Sequence, residues 1–215
     1  MLCYTDIAFR LISIVLGASS LGLVFIYPFM KRITNWPQFT FGLAFNWGIL
    51  LGWSATSGST DWALTLPLYA GGVLYGILYD TIYAHQDKVD DVLAGVKSTA
   101  LLFAEQTKPM LTLLGAGFVA SLAWTGYAAG CSAGYFVLSV AGTAAHLGWQ
   151  IRNVDLDVRS SCWRMFRSNK WLGGLIASGF ATDYWWRVGG GKEMMGVRNE
   201  EKVKRMGTRV AGYDV

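Results

Sequence analysis

The sequence has little charge for its length. Lys, Arg, Asp and Glu together make up 15% of the 215 residues, while hydrophobic residues make up 53%. Because a soluble domain usually carries about 25% charged residues, this composition excludes an ordinary soluble domain and indicates an integral membrane protein. Cysteine is scarce as well. Cys3, Cys131 and Cys162 are odd in number and far apart, which excludes a disulfide framework and a cysteine metal cluster.

The hydrophobic residues are collected in long runs. A helix needs about 20 apolar residues to cross a bilayer core about 30 Å thick. Six stretches approach that length, and they lie at 11–30, 39–57, 63–84, 110–130, 133–149 and 171–186. The runs are continuous rather than alternating, which disfavours a β-barrel. The sequence therefore predicts an all-α, polytopic transmembrane bundle of about six helices in a lipid bilayer.

The basic residues are confined to certain connectors between these runs. The first, third and fifth connectors carry Lys31, Arg32, Lys88, Lys97, Lys108, Arg152, Arg159, Arg164, Arg167 and Lys170, whereas the second and fourth carry none. This alternation is typical of membrane topology and not of nucleic-acid binding, so we predict no nucleic-acid partner. The basic tail that follows the sixth run does not follow the alternation.

We divide the chain into a segment at 1–10, a transmembrane domain at 11–187 and a tail at 188–215.

Four carboxylates follow the third run: Asp80, Asp87, Asp90 and Asp91. In a continuous helix Asp80, Asp87 and Asp91 lie within roughly 40° of one another around the axis, because each residue turns about 100°. Such crowded acids repel unless a cation binds, and Mg²⁺ prefers carboxylate oxygens. The spacing predicts a magnesium site on the basic, cytoplasmic-type side of the membrane. The alternative is a solvated helix end whose acids only improve solubility.

Two further polar features lie near these acids in the predicted topology. Lys31 and Arg32 end the first run, with Tyr27 on the same helix face as Lys31. They could approach a diphosphate from the side opposite the acids, or simply anchor the helix at the headgroup level. Asn46 lies inside the second run, where an interhelical hydrogen bond is a stronger expectation than a substrate contact. His85 is rotated away from the acidic stripe, and we do not predict it to be a metal ligand.

The third connector resembles a known motif. The stretch from Tyr79 to Asp91, reading Tyr-Asp-Thr-Ile-Tyr-Ala-His-Gln-Asp-Lys-Val-Asp-Asp, and the block at 95–99 resemble the second aspartate-rich motif of UbiA-type intramembrane prenyltransferases. Further similar blocks lie at 27–32, 35–38, 45–48, 149–150 and 166–169. The likeness covers residues 11–187.

The resemblance implies a nine-helix bundle in which two acidic motifs each hold Mg²⁺ against a polyprenyl diphosphate. It implies that Asp80, Asp87 and Asp91 bind metal and support catalysis. Substrate or diphosphate contacts fall to Lys31, Arg32, Lys97, Tyr27, Tyr83 and Asn46. The implied reaction joins the prenyl group to the carbon ortho to the hydroxyl of 4-hydroxybenzoate in ubiquinone biosynthesis. The implied location is the mitochondrial inner membrane, with the motif facing the matrix and a quinone-biosynthesis complex as partner.

The family's first acidic motif has no counterpart in these 215 residues. The chain is therefore expected to correspond to the last six of nine helices. Because diphosphate departure needs its developing charge neutralised, we expect no 4-hydroxybenzoate prenylation by this chain alone. Two alternatives stay open: a related prenyltransferase with another aromatic acceptor, and a non-catalytic membrane protein that binds lipid substrate or quinone-synthesis partners.

Overall fold

The computed structural model describes residues 2–57 and 60–210, with side chains placed over 13–57 and 60–189. Within those ranges the chain is helical and contains no strand. The α-helices are α1 (Leu2–Ile33), α2 (Pro37–Ser57), α3 (Trp62–Ala84), α4 (Lys88–Ala94), α5 (Thr99–Phe103), α6 (Thr107–Ala128), α7 (Ala133–Tyr135), α8 (Gly142–Asn153) and α9 (Arg159–Val210). Two 3₁₀ turns lie at His85–Asp87 and Ala104–Gln106, and a π-helical segment at Phe136–Ala141 joins α7 to α8.

The predicted all-α bundle is confirmed, and each of the six apolar runs lies almost entirely in helix. The first three runs fall in α1, α2 and α3, the fourth in α6, the fifth in the rod from α7 to α8, and the sixth in α9. In the described part of the chain, three helical stretches are long and apolar enough to cross a membrane: Ser13–Ile33, Trp62–Ala94 and Thr99–Ala128.

Helix α3 is central to the packing, because it contacts α2, α6 and α9. Its side chains Ile77, Leu78 and Ile82 are at most 2% exposed and belong to one hydrophobic cluster with residues of α6 and α9. The end of α3 that carries Asp80 is consequently fixed by neighbours on several sides.

The α2 and α3 backbones approach closely where glycines face each other. A Cβ placed on Gly76 would lie 2.8 Å from the Gly42 Cα, so neither position has room for a side chain. One turn away, the Asn46 Nδ2 donates to the Gly72 carbonyl at 2.8 Å and to the Gly42 carbonyl at 2.9 Å. The expected interhelical hydrogen bond of Asn46 is therefore present, and it ties α2 to α3 in an apolar setting where an amide needs a partner.

The connector after α4 has a glycine where α4 ends and a serine just before α5 begins. Gly95 ends α4 with φ +64°, the left-handed conformation that glycine adopts without strain. Ser98 then caps α5, its hydroxyl accepting the Leu101 N–H at 3.4 Å. Glycine and serine are the residue types that such a helix end and such a helix start favour.

Helix α9 begins twelve residues before the predicted run. Its first turns bury Cys162 and Met165 while Arg164 and Arg167 stay exposed, so this part of α9 is amphipathic and its hydropathy is low. The helix also continues through most of the predicted tail to Val210, and 211–215 lie outside the described residues. The division at 10 and 187 stays a prediction.

Candidate functional site

Two of the three predicted acids, Asp80 near the end of α3 and Asp91 on α4, lie within electrostatic range of each other. The Asp80 side chain lies beside Gln38 at the start of α2 and within electrostatic range of Lys31 and Asp91. Asp91 on α4 lies within electrostatic range of the same Lys31 and beside the Ser98 side chain. Asp80 and Asp91 thus share one cation, as expected for carboxylates that would otherwise repel each other.

The end of α1 is held against this acidic pair by the connector between α4 and α5. The Lys97 N–H donates to the Lys31 carbonyl at 2.7 Å, and the Lys97 Nζ donates to the Ile33 carbonyl at 3.3 Å. A cation at a helix C-terminus is favourable, because the last carbonyls carry partial negative charge. In this structure the Lys97 ammonium caps α1, and the Lys31 and Arg32 side chains are exposed.

Asp87 has a different partner. Its Oδ1 accepts from the Arg159 guanidinium at 3.0 Å, in an exposed ion pair between the 3₁₀ turn and the start of α9. The turn at His85–Asp87 departs from the continuous helix assumed for the stripe, because a 3₁₀ helix rotates about 120° per residue instead of about 100°. Among the described residues no three His, Cys, Asp or Glu side chains are placed to hold one ion. The structure therefore does not assemble the predicted three-acid ligand set.

The remaining acidic pair still suits a hard cation. Mg²⁺ is usually held by one or two carboxylates and completes its shell with water and substrate phosphates. Asp80 and Asp91 supply two such carboxylates, with Lys31 beside them as a further positive group. These residues fit a metal that arrives together with a diphosphate.

An aromatic cavity lies between α2, the second half of α3 and α9. It has a volume of about 400 Å³ and is lined by Phe45, Tyr75, Tyr79 and Phe166, among others. The Phe166 ring of α9 stacks on Tyr79 with centroids 4.2 Å apart and contacts Tyr83 at 4.8 Å. Arg167 and Lys170 also line the cavity, and Tyr79 precedes Asp80 on α3.

The two predicted tyrosines have different neighbours. The Tyr27 ring packs against Phe41 with centroids 6.0 Å apart and lies within electrostatic range of Asp80. Tyr83 lies one turn beyond Asp80 on α3 and is 37% exposed. Tyr27 therefore adjoins the carboxylate, whereas Tyr83 adjoins the aromatic wall formed by Phe166.

His85 stays apart from the acidic pair, as expected from its rotation. It is buried, and its Nε2 lies 3.2 Å from the Thr107 Oγ1 on α6. His146, on the far side of the bundle, lies 3.3 Å from the Ser168 hydroxyl. Both histidines have neighbours that account for their positions.

Sequence reasoning missed Gln38 and Arg159. Gln38 is 2% exposed, and its Oε1 accepts the Thr99 N–H at 3.1 Å, which joins the start of α2 to α5 beside Asp80. A lone glutamine directly after Pro37 at the start of an apolar run was the available signal. No local signal marks Arg159, because 72 residues separate it from Asp87 and only the fold brings them together.

The fold and this site define an all-α membrane protein with an acidic and basic cluster at one end of its bundle. The family model "UbiA prenyltransferase family" matches residues 1–173, and the chain belongs to that family. It is thus an enzyme by family, and UbiA prenyltransferases generally use a divalent metal.

Several relatives carry the name "4-hydroxybenzoate polyprenyltransferase, mitochondrial". The rat protein is 52% identical over 167 residues, covering 78% of this chain and 44% of the relative. The Arabidopsis thaliana protein is 53% identical over 165 residues, covering 77% and 40%, and the human protein is 49% identical over 175 residues, covering 81% and 47%. The chain thus spans less than half the length of these relatives. No solved structure gave a significant match.

Proposed function

We propose that this chain carries the diphosphate-binding part of a 4-hydroxybenzoate polyprenyltransferase of ubiquinone biosynthesis. The observation that carries the proposal is the meeting of Asp80, Asp91 and Lys31 beside an aromatic cavity at one end of the bundle. The names of relatives about 50% identical to the chain support the same substrates. In the proposed reaction a bond forms between the prenyl C1 and the ring carbon ortho to the phenol hydroxyl, while the bond from C1 to the diphosphate oxygen breaks. The ring carbon then loses its proton, which the departing diphosphate takes up.

The charged residues have complementary parts in this proposal. Asp80 and Asp91 would hold Mg²⁺, and the metal would supply positive charge to the departing diphosphate. Lys31, within electrostatic range of both carboxylates, would donate hydrogen bonds to the phosphate oxygens. Arg32 and Lys97 lie at the same end of α1 and add positive charge there. Asp87 joins the ligand set when the exposed pair with Arg159 opens, and such a pair is worth only about 0.2 to 1 kcal/mol.

Uncharged residues near the acids contact the prenyl chain and the aromatic acceptor in this proposal. Tyr79 and Phe166 offer rings for the prenyl chain to pack against, and Tyr27 or Tyr83 lies beside the acceptor ring. Asn46 uses both amide hydrogens on backbone carbonyls, so only its Oδ1 is available to a substrate hydroxyl.

The proposal includes a location. The relatives named above are mitochondrial, and the basic connectors lie on the side of the acidic motif. We place the chain in the mitochondrial inner membrane with Asp80 facing the matrix, in an assembly with other enzymes of quinone synthesis.

Binding of a polyprenyl diphosphate tests the site. The chain is reconstituted in liposomes, and Mg²⁺-dependent binding of a radiolabelled polyprenyl diphosphate is measured by flotation. Asp80→Asn and Asp91→Asn are each expected to weaken binding about tenfold, which corresponds to one charge-assisted contact of about 1.4 kcal/mol. Asp90→Asn is the matched control, because Asp90 is an exposed neighbouring acid outside the predicted stripe. Equal binding by all three variants contradicts the proposed site.

Turnover is a separate measurement. With Mg²⁺, the diphosphate and 4-hydroxybenzoate, the 215-residue chain alone is expected to bind but to form no prenylated product, since it carries only one acidic motif. Product formation by the chain alone would overturn that expectation while supporting the enzyme assignment. Binding that needs neither Asp80 nor Asp91 would favour a non-catalytic lipid-binding role.

A further inference from the structure

An open groove between α8 and α9 adjoins the aromatic cavity. Its volume is about 530 Å³, and Arg164, Arg167, Lys170, Trp149 and Trp163 line it, together with His146, Ser168 and Trp171. None of these lining residues is acidic. The groove therefore concentrates three positive charges between tryptophan rings.

The three cations are available to a ligand. Arg164, Arg167 and Lys170 are exposed, and none of them has an ion-pair partner within the described residues. The Lys170 Nζ lies 5.1 Å from the centre of the Trp171 ring, a cation–π contact that leaves its ammonium hydrogens free for other acceptors. On α9 the cations repeat every three residues and follow one side of the helix over about 9 Å, because each residue rises about 1.5 Å.

The position of the groove relates it to the membrane surface. It lies on α9 just before the apolar run at 171–186, at the height of Phe166, which contacts Tyr79 and Tyr83 beside the acidic pair. Trp149, Trp163 and Trp171 are 48%, 45% and 67% exposed. Partly exposed tryptophans are typical of the headgroup level of a membrane, where one side of the ring contacts apolar acyl chains and the other contacts water.

Together these features point to a lipid rather than a soluble anion. We propose that the groove between α8 and α9 is a binding site for the phosphate headgroup of an anionic phospholipid. Arg164, Arg167 and Lys170 pair with the phosphate, as basic clefts between membrane helices do with acidic headgroups. The Trp149, Trp163 and Trp171 rings contact the glycerol and the upper acyl carbons. Arg167 and Lys170 line both this groove and the aromatic cavity, whereas Arg164 and the three tryptophans line the groove and not the cavity.

Native mass spectrometry of the whole chain in detergent micelles tests this site. Phosphatidylglycerol or phosphatidylcholine with identical acyl chains is titrated, and bound lipids are counted. We expect the chain to retain phosphatidylglycerol at least tenfold better than phosphatidylcholine. Arg164→Gln should weaken phosphatidylglycerol retention about fivefold and the triple variant Arg164→Gln, Arg167→Gln, Lys170→Gln on the order of a hundredfold, from about 1 kcal/mol per basic residue near an anionic lipid surface.

The matched control removes the same charge elsewhere on the same side of the membrane. Lys88→Gln, Lys108→Gln and Arg152→Gln together leave the groove intact and should change retention less than threefold. Arg164 lines this groove and not the aromatic cavity, so the single variant remains informative if the triple variant fails to fold. Equal losses in the two triple variants, or equal retention of both lipids, overturn the proposal. Displacement of phosphatidylglycerol by millimolar inorganic phosphate overturns the lipid assignment in favour of a site for free phosphate.

Discussion

The close approach of α2 and α3 makes a quantitative prediction. Gly76→Ala places a methyl group 2.8 Å from the Gly42 Cα, whereas ordinary contact begins at 3.4 Å. The obstacle is backbone, which cannot rotate away as a side chain can, so the two helices must separate. Overpacking of this kind costs about 1 to 3 kcal/mol. Separation would also pull Gln38, on the same α2, away from Thr99 and Asp80.

Gly48→Ala is the control for helix propensity. Gly48 is exposed on α2, and a Cβ there meets nothing within 4 Å. Replacing glycine by alanine in a helix raises the free energy of unfolding by about 1 kcal/mol in both variants. The difference in free energy of unfolding between the two variants therefore isolates the steric cost. That difference should be about 1 to 3 kcal/mol, with Gly76→Ala the less stable.

Unfolding in mixed micelles with increasing SDS, followed by far-ultraviolet circular dichroism, measures both variants under one condition. Equal free energies of unfolding for Gly76→Ala and Gly48→Ala would refute the close approach of the two backbones. A Gly76→Ala variant more stable than the original chain would refute it as well.

Three further predictions concern the fifth connector and its neighbours. A double-mutant cycle with Asp87→Asn and Arg159→Gln should give a coupling energy of about 0.2 to 1 kcal/mol, because the pair is exposed; a value above 3 kcal/mol in the same unfolding assay would contradict the geometry. Gln150→Leu should lower the free energy of unfolding in that assay by about 1 to 3 kcal/mol. The reason is that the fully buried Gln150 amide donates to two acceptors on α9, which stay buried when the amide is removed. An unchanged free energy of unfolding would contradict those contacts. Burial raises the pKa of the Cys162 thiol to about 11, so maleimide at pH 7 should label it far more slowly in the folded chain than after denaturation, and equal rates would show that the thiol is open to solvent.

The main helices could be predicted because hydropathy and helix formation coincide in most of this chain. Long apolar runs mark α2, α3 and α6 directly. Hydropathy does not mark the start of α9, where buried Cys162 and Met165 alternate with arginines and the mean hydropathy stays low. Hydropathy reports depth in the membrane, and an amphipathic helix at the surface gives no such signal.

The candidate site was predictable only in part. The types and spacing of Asp80 and Asp91 indicate a shared site, and the structure brings them near Lys31. The 3₁₀ turn at His85–Asp87 carries no marker such as glycine or proline, so the rotation of Asp87 was not foreseen. Its partner Arg159 comes from a distant connector, and pairings of that kind depend on the tertiary fold.

The link between Lys97 and the last turn of α1 has a mechanical consequence. A single backbone hydrogen bond joins Lys97 to Lys31, and the adjoining Ser98 lies beside Asp91. Any force that draws Lys31 toward an incoming anion therefore acts on the segment that orients Asp91. Lys31 and Asp91 should therefore shift together. A ligand that binds to either residue would then move the other without any rearrangement of the surrounding helices.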